Sequence, residues 1–322
     1  SGASLTNLPA SGKAKNLVVN GAMKVAQRGT SSTSVQYQTV DRFKAFWTGQ
    51  DEHPTQAQGD VAAGTTPYTL GFRKTFKLTN GNQTSGAGAA DYFIFRHLIE
   101  AQNIANSGWN YLSSSSNITL SFWIKSSVAQ NFYGNVQTKD GTAYNYPFET
   151  GSLSADTWTK ITKTIPGNSN LQIDNDTGPG FQINIYPLLG TDYTASSVTL
   201  NQWATFSGST QTPDNTTTWW TTNDATLEIT GMQLEVGSVA TDFEHLTFSD
   251  DLRRCQRYFQ KYVHTANEAC IATGLIWVGT QVRTPFMFLQ EMRTAPSFTS
   301  STASNFQAAN GDQSRTASAL TI

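Results

Sequence analysis

Apolar residues in this chain come in short runs, and nearly every run is closed by Gly, Asn, Asp or Pro. Stretch 118–125 reads Ile-Thr-Leu-Ser-Phe-Trp-Ile-Lys, an alternation of period two. A strand with one buried face has that period. Stretch 92–99 reads Tyr-Phe-Ile-Phe-Arg-His-Leu-Ile, almost continuously apolar. Further strand candidates cover 17–19, 23–27, 42–47, 68–78, 132–138, 158–165, 181–186 and 225–236. Asn80-Gly81-Asn82, Asp140-Gly141 and Pro166-Gly167-Asn168 separate some of them. Many short strands with such punctuation predict an all-β chain folded as a jelly-roll β-sandwich. Three stretches between strands are long: 49–67, 79–90 and 190–217. Long loops in a compact domain carry function or cover a sheet edge.

Charge supports the same class. Charged residues make up 14% of the chain, against about 25% in an average soluble protein. Ser, Thr and Asn take their place, so exposed helices have few Glu–Lys pairs to stabilise them. The net charge is -2. No basic surplus exists to release counterions from a phosphate backbone, which argues against nucleic acid as a partner. No run approaches the roughly 20 apolar residues of a membrane span, so membrane insertion is not expected.

One segment breaks the β pattern. From Ser249 the chain reads Ser-Asp-Asp-Leu-Arg-Arg-Cys-Gln-Arg-Tyr-Phe, with acids first and bases later. That order suits a helix dipole, and Leu252, Cys255 and Phe259 form one stripe. The reading is therefore a polar linker over 1–15 from an upstream region, a sandwich over 16–248 and a connecting helix over 249–262. A small C-terminal β unit over 263–322 follows, incomplete by itself, with strands over 269–278 and 282–290.

Motifs for catalysis are missing from the sequence. It has no GxSxG elbow, HExxH helix, Walker loop or dinucleotide fingerprint. Cys255 among arginines reads as the buried face of the helix. Glycoside hydrolysis needs two carboxylates roughly 5–10 Å apart; Asp91, Glu100, Glu149, Glu228 and Glu235 are available, but sequence does not bring them together. No enzyme activity, cofactor or metal is expected. Asp174-Asn175-Asp176 and Asp214-Asn215 read as turns before they read as Ca²⁺ ligands. Aromatics are the stronger signal. Sugar rings present apolar faces that stack on Trp and Tyr. Trp109, Tyr111, Tyr144, Tyr146, Tyr193, Trp219 and Trp220 lie in loop-like sequence and are the ligand-binding candidates. Packing in the core is the competing reading for each.

Two strings carry a family resemblance. The first is Asn16-Leu-Val-Val-Asn20-Gly21-Ala-Met23-Lys-Val-Ala-Gln27-Arg28-Gly29-Thr30, followed by Asp41-Arg42-Phe43. The second is Gly231-Met-Gln233-Leu-Glu235-Val-Gly237-Ser-Val-Ala-Thr241-Asp-Phe243-Glu244-His245, followed by Cys255-Gln256-Arg257-Tyr258-Phe259. Together they resemble a domain of bacteriophage tail fibres and related virion appendages, particularly of marine phages. The resemblance spans about residues 16–262. It implies a jelly roll similar to carbohydrate-binding modules, carried on the virion surface, commonly as a homotrimer among other virion proteins, and touching host-surface glycans. It transfers no catalytic residue. A purely structural virion part (head fibre, decoration or collar protein) and a polysaccharide depolymerase are the alternatives. Physically, Arg28 or Arg42 is expected to pair with Asp41 or Glu235 and clamp the first and last strands together.

Overall fold

In a computed structural model, the structure describes residues 15–262, 274–278, 281–285, 287–310 and 313–318. The expected linker therefore lies outside the described residues except for Lys15, as do Cys270 and the last residues 319–322. The chain divides into two compact units, with the boundary between Cys255 and Gln256.

The first unit is the jelly-roll sandwich. Its strands are β1 (Ser31–Ser32), β2 (Phe43–Thr48), β3 (Thr55–Asp60), β4 (Lys74–Thr79), β5 (Tyr92–Glu100) and β6 (Asn117–Ser126), then β7 (Asn131–Thr138), β8 (Tyr144–Ser152), β9 (Thr159–Pro166), β10 (Pro179–Leu189), β11 (Ala204–Thr205) and β12 (Thr226–Val236). One six-stranded sheet runs β1-β3-β4-β12-β6-β9 and the other runs β11-β8-β7-β10-β5-β2. Alternation decides which residues fill the space between them. Phe43, Phe93, Phe95, Phe181 and Ile183 point inward from the second sheet, and Phe76, Phe122, Ile124 and Leu234 from the first. The Phe43, Phe76 and Phe95 rings meet at 5.1–6.4 Å in one tilted, one stacked and one edge-on pair.

Several local expectations change. Stretch 68–78 is a strand only from Lys74. Pro67 stands at the start of a short helix, Thr66–Thr69, which replaces the first half. The runs 17–19 and 23–27 bury Val18, Val19, Met23 and Val25 but form no strand. Asn20 and Met23 both have positive φ, 63° and 59°, which breaks the extended backbone. Loop 49–67 contains β3.

The two ends of the sandwich are fastened by the residues of the two resembling strings. Leu17 N–H donates to Leu234 O at 2.9 Å, and Met232 N–H donates to Gly21 O at 2.9 Å. The Asn16 amide donates to Met232 O at 3.0 Å and accepts from Leu234 N–H at 3.1 Å. Asn20 donates to the carbonyls of Val25 and Asp41. Glu244 accepts from the backbone of Lys15 and Asn16, and Gln233 accepts from Glu244 N–H. Gly231, at φ 62°, sits in the bulge of β12 where a Cβ would come within 2.6 Å of Phe72.

One of the expected pairs forms, but it does not clamp the ends. Arg28 pairs with Asp41 at 3.7 Å, but both residues belong to the N-terminal string, so this pair does not join the ends. Arg42 donates to Leu98 O at 2.6 Å. Glu235 pairs with Lys15 at 3.4 Å and accepts from Thr241. Side-chain amides and backbone groups therefore join the ends, and the Lys15–Glu235 pair supplements them. Burial pushes the Asp41 carboxyl above the usual range, against the lowering by its Gln27 hydrogen bonds and Arg28.

The helix is Phe248–Gln256, shorter than 249–262. Thr247 supplies the cap: its hydroxyl accepts from Asp250 N–H at 3.2 Å and donates to the Asp250 carboxylate at 2.7 Å. Cys255 is buried against Val19, Val25 and Leu252, and burial drives its thiol pKa well up. Phe259 lies beyond the helix, so the stripe stops at Cys255.

Among the described residues of the second unit, taken by itself, β13 (Leu275–Val278) pairs antiparallel with β14 (Gln281–Arg283), and β15 (Gln307–Asn310) with β16 (Gln313–Thr316). The expected strand over 282–290 ends at Arg283. The Gln260 side chain binds the chain that follows, accepting from Leu289 N–H at 3.0 Å and donating to Gln290 O at 3.1 Å.

Candidate functional site

Strand parity exposes a second set of side chains on the outer face of the sheet β11-β8-β7-β10-β5-β2. Phe93, Phe95 and His97 turn to the core, so Tyr92, Ile94 and Arg96 turn outward. The register then lines up Lys44, Arg96, Asn184 and Asn135 as one row across β2, β5, β10 and β7. Next to it, Gln182 faces Gln137. The amides couple across strands. Gln182 Nε2 donates to Gln137 Oε1 at 3.0 Å and Asn184 Nδ2 to Asn135 Oδ1 at 2.6 Å. Arg96 Nε donates to Asn184 Oδ1 at 2.8 Å. Asn135 Nδ2 is buried with no partner.

Loop 190–217 folds over part of this face. Gln211 is its anchor: its carbonyl accepts from Asn145 Nδ2 at 2.8 Å and its side-chain oxygen from the Tyr186 hydroxyl at 3.3 Å. Burial raises the Tyr186 pKa, so the phenol stays protonated as that donor. Tyr193 stands edge-on to Tyr92 at 5.8 Å, and its hydroxyl donates to Ala90 O at 3.3 Å.

Between loop and sheet runs a groove of about 220 Å³, lined by Tyr92, Ile94, Arg96, Gln137, Lys139, Gln182, Leu189, Tyr193, Phe206 and Gln211. Half-buried aromatic rings beside amide groups suit a ligand with apolar faces and many hydroxyls. Burial lowers the pKa of Arg96. Burial and then the Arg96 charge lower that of Lys139.

Of the aromatic candidates from sequence, Tyr193 alone lines the groove. Trp109, Tyr146, Trp219 and Trp220 are corrected: they are core residues, at most 3% exposed. Trp109 packs edge-on to Phe181 at 5.7 Å and donates to Ser116 O. The Tyr146 hydroxyl reaches Thr164 O. Trp219 packs edge-on to Phe93 at 5.3 Å and donates to Thr226 O. Trp219-Trp220 lies on a short helix, Thr218–Thr221, with both residues buried. Tyr111 and Tyr144 are half-buried against the core.

The carboxylate candidates are scattered. Glu228 pairs with Lys125 on the other sheet, Glu235 belongs to the end clamp, and Glu100 accepts from Gln102. Asp176 accepts from Gly178 N–H within a local turn, and Asp214 accepts from the Thr194 hydroxyl across loop 190–217. No group of three or more His, Cys, Asp or Glu suited to a metal occurs among the described residues.

The groove residues that sequence reasoning missed include Tyr92, Ile94 and Arg96, which recur with period two on β5, and Gln182, which interrupts the apolar β10. Only pairing in register shows that they share one face.

A sandwich of two six-stranded antiparallel sheets with a groove on one outer face defines the class of this protein. No family model matches the sequence, and no curated protein matches it. Solved structures similar to it include a CBM4 module, 13% identical over 68% of this chain and 99% of that one, with a TM-score of 0.34. Another is the N-terminal cellulose-binding domain of Cellulomonas fimi β-1,4-glucanase C, 11% identical over 67% and 99%, with a TM-score of 0.31. A third is the CBM22-1 xylan-binding domain of Paenibacillus barcinonensis Xyn10C, 9% identical over 66% and 94%, with a TM-score of 0.29. Likeness at this level carries no inference about a ligand.

Proposed function

We propose that this protein is a bacteriophage virion fibre component that displays its sandwich for attachment to a host-surface glycan held in the groove. The groove itself carries the glycan reading: Tyr92, Tyr193 and Phe206 offer rings beside the amides of Gln137, Gln182 and Gln211. Sugar C–H faces stack on such rings while hydroxyls exchange hydrogen bonds with amides. The virion reading is supported by the two resembling strings, whose residues fasten the two ends of the sandwich. The lining contains no Asp or Glu. The depolymerase alternative needs a carboxylate pair at its site, so binding without cleavage is the reading adopted.

Glycan-array binding tests it. The intact protein is expected to bind a restricted set of oligosaccharides, and Tyr193→Ala to weaken binding by about tenfold, the loss of one stacking contact. Uniform absence of binding, or full affinity in Tyr193→Ala, would sink the groove reading.

The proposal includes assembly as a homotrimer on the virion surface, where linked copies raise the avidity of a weak site. Leu275, Met287 and Leu289 of the second unit are 62–82% exposed, an apolar surface suited to copies of the same chain. Light scattering should give three chains per particle; a single-chain mass contradicts trimerisation.

A further inference from the structure

We propose that the groove selects anionic saccharides, those carrying uronate carboxylates or sulfate esters. This rests on the glycan-binding reading and names the substrate class of the same site. Two cations, Arg96 and Lys139, line the groove, and no acidic residue lines it. Lys44 faces Arg96 across the β2–β5 register, and both cations lie over the Phe46 ring, at 4.9 and 5.1 Å. Among the described residues no ion pair involves Lys44, Arg96 or Lys139.

This is costly without a ligand. Partly buried like charges repel, and burial weakens their hydration. Burial first, then the Arg96 and Arg42 charges, pull the Lys44 pKa down to about 8. A carboxylate or sulfate placed in the groove reverses the sign of these interactions. Asn184 holds the Arg96 guanidinium by its Nε, a fixed orientation that suits planar recognition of an oxyanion. A neutral saccharide would leave the repulsion in place.

Calorimetric titration of the intact protein tests this with three probes: a uronate tetrasaccharide, a sulfated tetrasaccharide and a neutral tetrasaccharide of the same linkage as the uronate. At least one acidic probe is expected to bind about tenfold or more tightly than the neutral one, the worth of a charge-assisted hydrogen bond. Which acidic probe binds distinguishes carboxylate from sulfate. That preference should shrink from about 20 mM to about 300 mM NaCl. It should also shrink in Lys139→Gln, a half-exposed position where folding is not at stake, and in Arg96→Gln if its unfolding transition remains cooperative. Equal affinity for neutral and acidic probes, unchanged in Lys139→Gln, overturns the charge selectivity and leaves the groove reading standing. Failure of every probe, together with failure on the glycan array, counts against the groove reading itself.

Discussion

Gly21→Val should lower the melting temperature by about 6–12 °C, from a cost of about 3 kcal/mol at roughly 2–4 °C per kcal/mol. A Cβ at Gly21 would overlap the Met232 carbonyl oxygen and crowd the Asn16 amide. Neither neighbour is free to move. Met232 N–H is bonded to Gly21 O, and Asn16 is bonded to both Met232 O and Leu234 N–H. The substitution must therefore part the entering chain from β12. Buried amide and carbonyl groups would lose their partners with it. Thermal unfolding followed by circular dichroism measures the shift. An unchanged transition would mean that the two ends are not fastened as described.

Trp219→Ala should be as damaging or more. Truncating a fully buried aromatic costs about 3–5 kcal/mol, or roughly 6–20 °C in a domain of this size. The indole loses its edge contact with Phe93, and the bond from its nitrogen to Thr226 O disappears. Two readings of this residue part company here. An exposed binding tryptophan would leave stability intact and abolish affinity. The core position predicts lost stability, with saccharide affinity retained at temperatures where the variant is folded. Melting and titration on the same sample decide it.

The sandwich was legible because alternation in β6 and the apolar run of β5 depend on local pattern alone. The turn residues between them carry their own conformational reasons. The failures share a cause as well. Val18, Val19 and Val25 look like strand residues because they are buried, but Asn20 and Met23 turn the backbone through the left-handed region. Their burial comes from docking on β12 and the helix, which no local pattern reveals. Thr66-Pro67 starts a helix where the apolar pattern suggested a strand.

The site was less legible than the fold. Loop-like sequence suggested exposed aromatics, yet Trp109, Tyr146, Trp219 and Trp220 fill the core. A large ring in a loop can cap the open end of a sandwich as readily as it can face water. The groove is made of residues from three strands, the β7–β8 connection and loop 190–217. Their common face depends on register, and Gln182 or Arg96 alone carries no sign of it. Tyr193 was reached from sequence because loop 190–217 is long, and that loop does cover the sheet.

A crystal structure of the protein with the tightest-binding oligosaccharide tests the central claim most directly. A sugar ring is expected against Tyr193 or Phe206, with hydroxyls on Gln137 or Gln182 and any acidic group at Arg96 or Lys139. An oligosaccharide held elsewhere on the sandwich, with the groove unoccupied, would contradict it.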